Sequence, residues 1–310
     1  MRQAALDMVH EIACRDERVV FIGSDLGVGT LAKFRSEMPD RFFMEGVAEQ
    51  NIVGVAAGLA MEGFVPYVNT IATFLTRRCF EQIAVDLCLH NLPVRLIANG
   101  GGVVYAPLGP THLAIEDMAI LRALPNMTVV APSDAVEMRR LIPATLNHPG
   151  PVYIRLGKGG DPVVAREDES FNIGRAILKR APGMVGMITT GVMTERCLRA
   201  AELLANRKIV AGVLHCHTVK PLDNDAARDF SRGLRLLVTV EEHVATGGLG
   251  SAVIDGLLAA GDPIPPVLRL SLPDAFPHHY GSQDDLLSFA GLQPEGIAER
   301  IARTVTETHA

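Results

Sequence analysis

The chain has 310 residues, 48% of them apolar, which is enough material for two cores of roughly 100 to 200 residues each. Charged residues make up 21%, the formal net charge is −6, and Lys and Arg are scattered, so no basic face offers itself to a phosphate backbone and nucleic-acid binding is excluded. The chain opens on an amphipathic pattern at residues 2–10 rather than on a signal segment, and apolar stretches such as 52–61 fall short of the ~20 residues a bilayer span needs; a soluble, cytoplasmic protein with no membrane association is expected.

Short β-branched runs alternate with longer amphipathic stretches. Residues 19–22 read as the first strand. Residues 48–61 have a helical period and carry Gly54, Ala56, Ala57 and Gly58, small residues that let another backbone approach, so this helix is expected at an interface. Strands follow at 65–68, 94–97, 128–130 and 152–155, and Ser133 is expected to cap a helix running towards Asn147. Polarity and glycine content rise through 157–161 and 166–170, where a linker is expected. Beyond it, strands at 185–189, 209–214, 236–240 and 267–270 alternate with helices near 194–206, 249–259 and 295–307. This is an α/β pattern: two α/β domains with mostly parallel sheets, at residues 1–165 and 172–310.

Five cysteines, at 14, 79, 88, 197 and 216, include no Cys-x-x-Cys pair, so neither a disulfide framework nor a zinc site is expected. In His215-Cys216-His217 a strand would put both imidazoles on one face and the thiol on the other, which reads as structural.

Three segments carry candidate chemistry. Gly46-Val47-Ala48-Glu49-Gln50-Asn51 places one carboxylate at the start of an apolar helix, where the dipole alone favours it by up to about 1 kcal/mol; Glu49 is either a helix-start charge or a functional acid. Gly109-Pro110-Thr111-His112 follows Asn99-Gly100-Gly101-Gly102 beyond a strand's carboxyl end, where open α/β sheets bind ligands, and His112 is a candidate acid, base or hydrogen-bond donor. Thr73-Phe74-Leu75-Thr76-Arg77-Arg78-Cys79-Phe80 puts an aromatic after the second long strand, either core or a stacking surface.

Taken together, these blocks resemble the transketolase family of thiamine diphosphate enzymes along essentially the whole chain. Ser24-Asp25-Leu26, the three segments above, His217-Thr218-Val219-Lys220-Pro221-Leu222-Asp223, Val240-Glu241-Glu242-His243 with Gly247-Gly248-Leu249-Gly250, and Tyr280-Gly281-Ser282-Gln283 match its signatures in order. The resemblance implies that Glu49 hydrogen-bonds the aminopyrimidine ring nitrogen of thiamine diphosphate, that Phe74 stacks on that ring, and that Asp25, Arg78 and Phe80 line the cofactor side. It implies that His112 stands over the reacting carbon, that Arg155 pairs with a substrate phosphate, and that Arg77, Gly100 and Leu108 line the substrate funnel. Many transketolases carry His at the position of Gly100 and Asp at that of Leu108. The diphosphate-binding domain and its Gly-Asp-Gly metal motif are missing, so Mg²⁺ or Ca²⁺ is expected on an N-terminal transketolase subunit, in an α2β2 heterotetramer acting on sugar phosphates.

The implied activity is transfer of a two-carbon ketol unit from a ketose phosphate or related ketose to an aldose, with the cofactor on the pyrimidine side of a split enzyme. Alternatives are the β subunit of a 2-oxo acid dehydrogenase, a 1-deoxyxylulose-phosphate synthase-like enzyme, and a non-catalytic binding or regulatory subunit. The Gly-Pro-Thr-His block and Arg155 favour sugar phosphates over 2-oxo acids. The glycines at 247, 248 and 250 look like a phosphate cradle, but the resemblance assigns them to a domain that touches no cofactor.

Overall fold

The computed structural model describes residues 1–24, 31–261 and 263–307. The first half runs α1 (Arg2–Ala13), β1 (Val19–Gly23), α2 (Ala32–Glu37), β2 (Phe42–Met44), α3 (Glu49–Met61), β3 (Val65–Ile71), α4 (Ala72–Arg78) and α5 (Phe80–Gln82, continuing as a π-helical turn through Cys88). It continues with β4 (Arg95–Asn99), α6 (Asp117–Arg122), β5 (Thr128–Val130), α7 (Ala135–Thr145) and β6 (Val152–Arg155). After residues 156–176, which hold neither helix nor strand, come β7 (Ile177–Arg180), β8 (Val185–Thr189), α8 (Met193–Asn206), β9 (Ala211–His215) and β10 (Thr218–Lys220). The chain closes with α9 (Asn224–Ser231), β11 (Leu236–Val244), α10 (Leu249–Ala260), β12 (Val267–Leu272), α11 (Gln283–Phe289) and α12 (Pro294–Glu307).

Among the described residues two sheets form, in the orders β10-β5-β6-β4-β3-β1-β2 and β12-β11-β8-β9-β7. All pairings are parallel except β10 with β5 and β7 with β9, at sheet edges. Helices cover both faces, so β1, β4, β6, β8 and β9 are buried along their whole length; this is why they read as continuous apolar runs rather than alternating ones. The strands missed in the sequence are edge strands, β2, β7 and β10.

β10 ties the halves together. It follows β9 of the second sheet but pairs with the edge of the first, Thr218 opposite Val130 and Lys220 opposite Val129. One apolar core continues from α3, α4 and β3 through Ile188, Leu214, Val219 and Leu257, uniting one face of each sheet. A second core, under α8 and α12, takes in Val103, Ala106, Leu113 and Ile115 and so anchors the loop after β4 to the second sheet. A third lies beneath α1, α2 and α7 on the opposite face of the first sheet.

Two local expectations need correction or completion. The α7 cap is Asp134, not Ser133: Asp134 Oδ1 accepts from the Val136 and Glu137 amides at 2.9 and 3.0 Å, and Oδ2 accepts from Val164 and Ala165, both at 2.8 Å. A carboxylate has enough acceptor sites to cap the helix and hold the linker together, which a hydroxyl does not. On α3 the small residues split: Ala56 and Ala57 are buried in this chain's own core, while Gly54 and Gly58 face outwards with open space where a side chain would stand.

Candidate active site

The carboxyl ends of β1 and β3 are adjacent, and α3 and α4 start close to them. At such an edge an α/β sheet leaves backbone groups and helix starts free to meet a ligand. Glu49, the first residue of α3, is only 2% exposed. Its Oε1 accepts from the Ser24 hydroxyl at 3.3 Å and its Oε2 from the Arg78 guanidinium at 2.5 Å. Cys79 is buried nearby; burial first, and the Glu49 charge second, push its thiol up to about 12, so it stays neutral.

Arg78 does two things at once. Its guanidinium carbon lies 4.4 Å from the centre of the Phe74 ring while it donates to Glu49. Its side chain is 42% exposed, held there by the Glu49 pairing and the Phe74 ring. The His112 ring meets Phe74 edge-on at 5.1 Å between centroids, and the Thr111 hydroxyl stands 3.0 Å from His112 Nδ1. The structure therefore brings Glu49, Phe74, Arg78 and His112 together.

Two short 3₁₀ turns, Ala106–Leu108 and Pro110–His112, present His112, with Gly109 between them at φ +77° under the Tyr280 ring. A side chain at 109 would meet that ring at 2.7 Å, so only glycine fits this turn. The loop is held at its base by paired Gly102 and Ala114 amides and carbonyls, and by the Val103 amide donating to Glu242 at 2.8 Å. Gln283 in turn donates to both Glu242 oxygens at 3.0 Å. Arg77 forms a two-point ion pair with Glu116, and its guanidinium carbon lies 5.7 Å from the Phe276 ring centre. Leu108 is half exposed on the same loop, and Phe80 is exposed at the start of α5. Asp25 lies outside the described residues.

Two expected substrate contacts, Arg155 and Gly100, are buried in this chain. Arg155 is 7% exposed; it donates to Asp117 at 2.8 Å and to the Ala114 and Glu242 carbonyls at 3.1 and 2.9 Å. Burial opposes its charge, but Asp117 and Glu242 outweigh that and hold its pKa above the ordinary value. Asp117 also accepts from the Tyr153 hydroxyl at 2.7 Å. Arg155 thus braces the base of the loop through its Nε and Nη2 groups, with Asp117 as an internal counter-ion. Gly100 is buried at φ +76° against Tyr105, whose ring comes within 2.1 Å of where a side chain would begin; it makes a turn and offers no free surface.

The glycines leading into α10 hold no open cradle either. The Leu249 and Gly250 amides donate to the two Glu241 oxygens at 2.7 and 2.9 Å, so the protein supplies its own anion at that helix start. Sequence reasoning missed Asp117, Glu116 and Glu242, whose partners are distant in the chain. It also missed the cluster where Glu137 of α7 meets His215 Nε2 at 2.9 Å, with His217 stacked on Phe171 at 4.2 Å. No helix among the described residues is long and apolar enough to cross a membrane.

The site accommodates the group its sequence resemblance implies. A stacked planar cation that donates an N–H to a buried carboxylate already occupies the space between Phe74 and Glu49, and an aminopyrimidine ring is another planar N–H donor. Comparison with known proteins agrees. Residues 1–160 match the family model for the transketolase pyrimidine-binding domain and residues 174–297 that for the transketolase C-terminal domain. A 6-deoxy-6-sulfo-D-fructose transketolase subunit, SqwH, of Clostridium sp. (strain MSTE9) is 37% identical over 99% of this chain and 94% of its own. A 1-deoxy-D-xylulose-5-phosphate synthase of Synechococcus sp. (strain JA-2-3B'a(2-13)) is 39% identical over 94% of this chain, which spans only 45% of that enzyme. A solved split-gene transketolase, an inactive beta4 tetramer, superposes with a TM-score of 0.90 at 35% identity, covering 98% of both chains. A full-length transketolase from Pichia stipitis shares the fold, at 19% identity and a TM-score of 0.80 over 45% of its length.

Proposed function

The chain belongs to the transketolase family, and we propose that it is the pyrimidine-side subunit of a split transketolase, moving a two-carbon ketol unit from a ketose phosphate or related ketose to an aldose. The observation that carries this reading is the stacked guanidinium of Arg78 between Phe74 and the buried Glu49, a pose that prefigures the cofactor ring. Thiamine diphosphate, when bound, supplies the carbanion that attacks the ketose carbonyl and holds the two-carbon unit. Glu49 would share a proton with the aminopyrimidine ring nitrogen through a hydrogen bond, and Phe74 would give the ring its stacking face. His112, steadied by Phe74 and Thr111, donates to hydroxyls of the bound sugar.

The missing diphosphate side comes from a partner chain that holds Mg²⁺ or Ca²⁺. The near-complete match to a subunit-sized relative and to a half-enzyme solved as an inactive tetramer supports this division. The uncovered glycines of α3, with exposed Val47 and Met61 at its two ends, supply a face for packing another subunit, and two copies of each chain is the economical assembly. A second reading, 1-deoxyxylulose-phosphate synthase-like chemistry, rests on the synthase relatives at 36–39% identity over more than nine-tenths of this chain. The non-catalytic reading is opposed by the assembled Glu49, Phe74 and His112.

The test is turnover by this chain co-purified with a diphosphate-domain partner, thiamine diphosphate and Mg²⁺, against a donor panel. Xylulose 5-phosphate or 6-deoxy-6-sulfo-D-fructose consumed with an aldose acceptor supports ketol transfer. Pyruvate consumed with glyceraldehyde 3-phosphate, and no ketose turned over, moves the enzyme to the second reading. Turnover of pyruvate with an electron acceptor alone defeats both.

A further inference from the structure

We propose that His10, Cys14 and Glu37 form a site for one thiophilic divalent cation of zinc's class, on the face of the first sheet opposite α3 and α4. His10 and Cys14 stand one turn apart, so their side chains share an edge of α1. Glu37 is the last residue of α2. His10 Nε2 lies 2.8 Å from Glu37 Oε2 and 3.8 Å from Cys14 Sγ, and the three donor atoms fall within 4.8 Å of one another. Donors sharing one tetrahedral zinc ion, with bonds of about 2.0 to 2.3 Å, sit roughly 3 to 4 Å apart, so a few tenths of an ångström of opening between His10 and Glu37 admits the ion.

The surroundings prepare the site. Phe34 is buried in the core, and its ring lies 5.7 Å from that of His10, fixing α2 beside α1. The Lys33 ammonium stands 3.8 Å from the other Glu37 oxygen, which leaves Oε2 directed at His10. Cys14 caps the carboxyl end of α1, where the helix dipole favours a cation. It is the exposed cysteine; Cys79, Cys88, Cys197 and Cys216 are buried. Cys14 and Glu37 are open to solvent, so water takes the fourth position.

A sulfur and an imidazole nitrogen select Zn²⁺, Co²⁺ or Cd²⁺ and reject Mg²⁺ and Ca²⁺, which take oxygen ligands. On binding, the Cys14 thiol gives its proton to solvent as the sulfur–metal bond forms; neutral His10 gives its Nε2 lone pair and Glu37 its carboxylate, with no change of oxidation state. Spacing along the chain hid this set, because the third ligand comes from a different helix.

Cobalt titration of the metal-free full-length chain tests it. One equivalent of Co²⁺ is expected to give a thiolate-to-cobalt charge-transfer band and the intense visible bands of a tetrahedral ion, and Zn²⁺ to displace it. In native protein a thiol reagent is expected to modify Cys14, and Zn²⁺ but not Mg²⁺ to slow that reaction at least about tenfold. C14S should abolish the charge-transfer band, and H10Q and E37Q should each weaken binding at least about tenfold, all three folding normally by circular dichroism. Weak octahedral cobalt bands, unprotected labelling, or undiminished affinity in H10Q would overturn the proposal.

Discussion

Two clusters of ionisable side chains flank the loop that carries His112, and they are built to opposite ends. Around Glu49 a buried carboxylate is met by a hydroxyl and by a guanidinium that is 42% exposed. Around Arg155 the donors end on Asp117 and two carbonyls inside the protein, and Asp117 also holds Tyr153. Both clusters contain a charged residue that family resemblance assigns to the chemistry. The first holds its partner through an exposed side chain, the second through largely buried ones. A largely desolvated ion pair cannot break without leaving an opposite charge stranded, at a cost of several kcal/mol.

The largest expected effect is at the open cluster. E49Q should lower turnover of the assembled enzyme by about 10² to 10⁴-fold while leaving thermal stability within error, because an amide has no ionisable proton to exchange with the ring nitrogen. At the sealed cluster the same kind of change should act on the fold. R155M should cost about 3 to 5 kcal/mol in denaturant unfolding, and R155M combined with D117N less than the sum of the two single variants. Unchanged stability together with a raised KM for phosphorylated donors would restore Arg155 as a phosphate contact.

The seam between the sheets holds a second sealed group. Burial depresses His217 to about 4, and its Nε2 is buried with no hydrogen-bond partner among the described residues. The unfolded chain binds that proton near pH 6.5 and the folded chain does not, so stability is full above about 6.5 and falls by roughly 3 kcal/mol as the pH drops towards 4. Glu137 adds to the loss at lower pH. Burial would raise its pKa, but the His215 pairing and the Ser133 amide hold it at about 2, so its contribution fades as the pH falls from about 4.5. Denaturant unfolding of H217F should show a flatter profile between pH 6.5 and 4; an unaltered profile would mean that another group sets it.

The smallest expected effect concerns Arg78 itself. Because its guanidinium must leave Glu49 and Phe74 for a cofactor ring to enter, R78A should tighten thiamine diphosphate binding by about fivefold, close to 1 kcal/mol. Weaker binding would make Arg78 a cofactor contact in its own right.

The contrast between the clusters also explains what the sequence did and did not disclose. Long strands such as β4 and β6 were legible because strands buried on both faces read as unbroken apolar runs. β10 was not, since it leaves the second domain's chain path to pair at the edge of the first sheet, with β5, which is remote in the chain. Glu49 was legible as an isolated carboxylate on an apolar helix. The fate of Arg155 was not, because its counter-ion lies 38 positions away and nothing local says which charges are sealed together. At the start of α7 two neighbours could both cap, and the choice fell to Asp134 through linker contacts that are remote in the chain.

The central claim is that this chain holds half of a cofactor site. Calorimetric titration of thiamine diphosphate with Mg²⁺ into this chain, into its diphosphate-domain partner and into the assembled pair tests it most directly. Saturable binding by the pair at one cofactor per heterodimer, weakened in E49Q and absent from either chain alone, is the predicted result. Equally tight binding by the partner alone, or by the pair carrying E49Q, would contradict it.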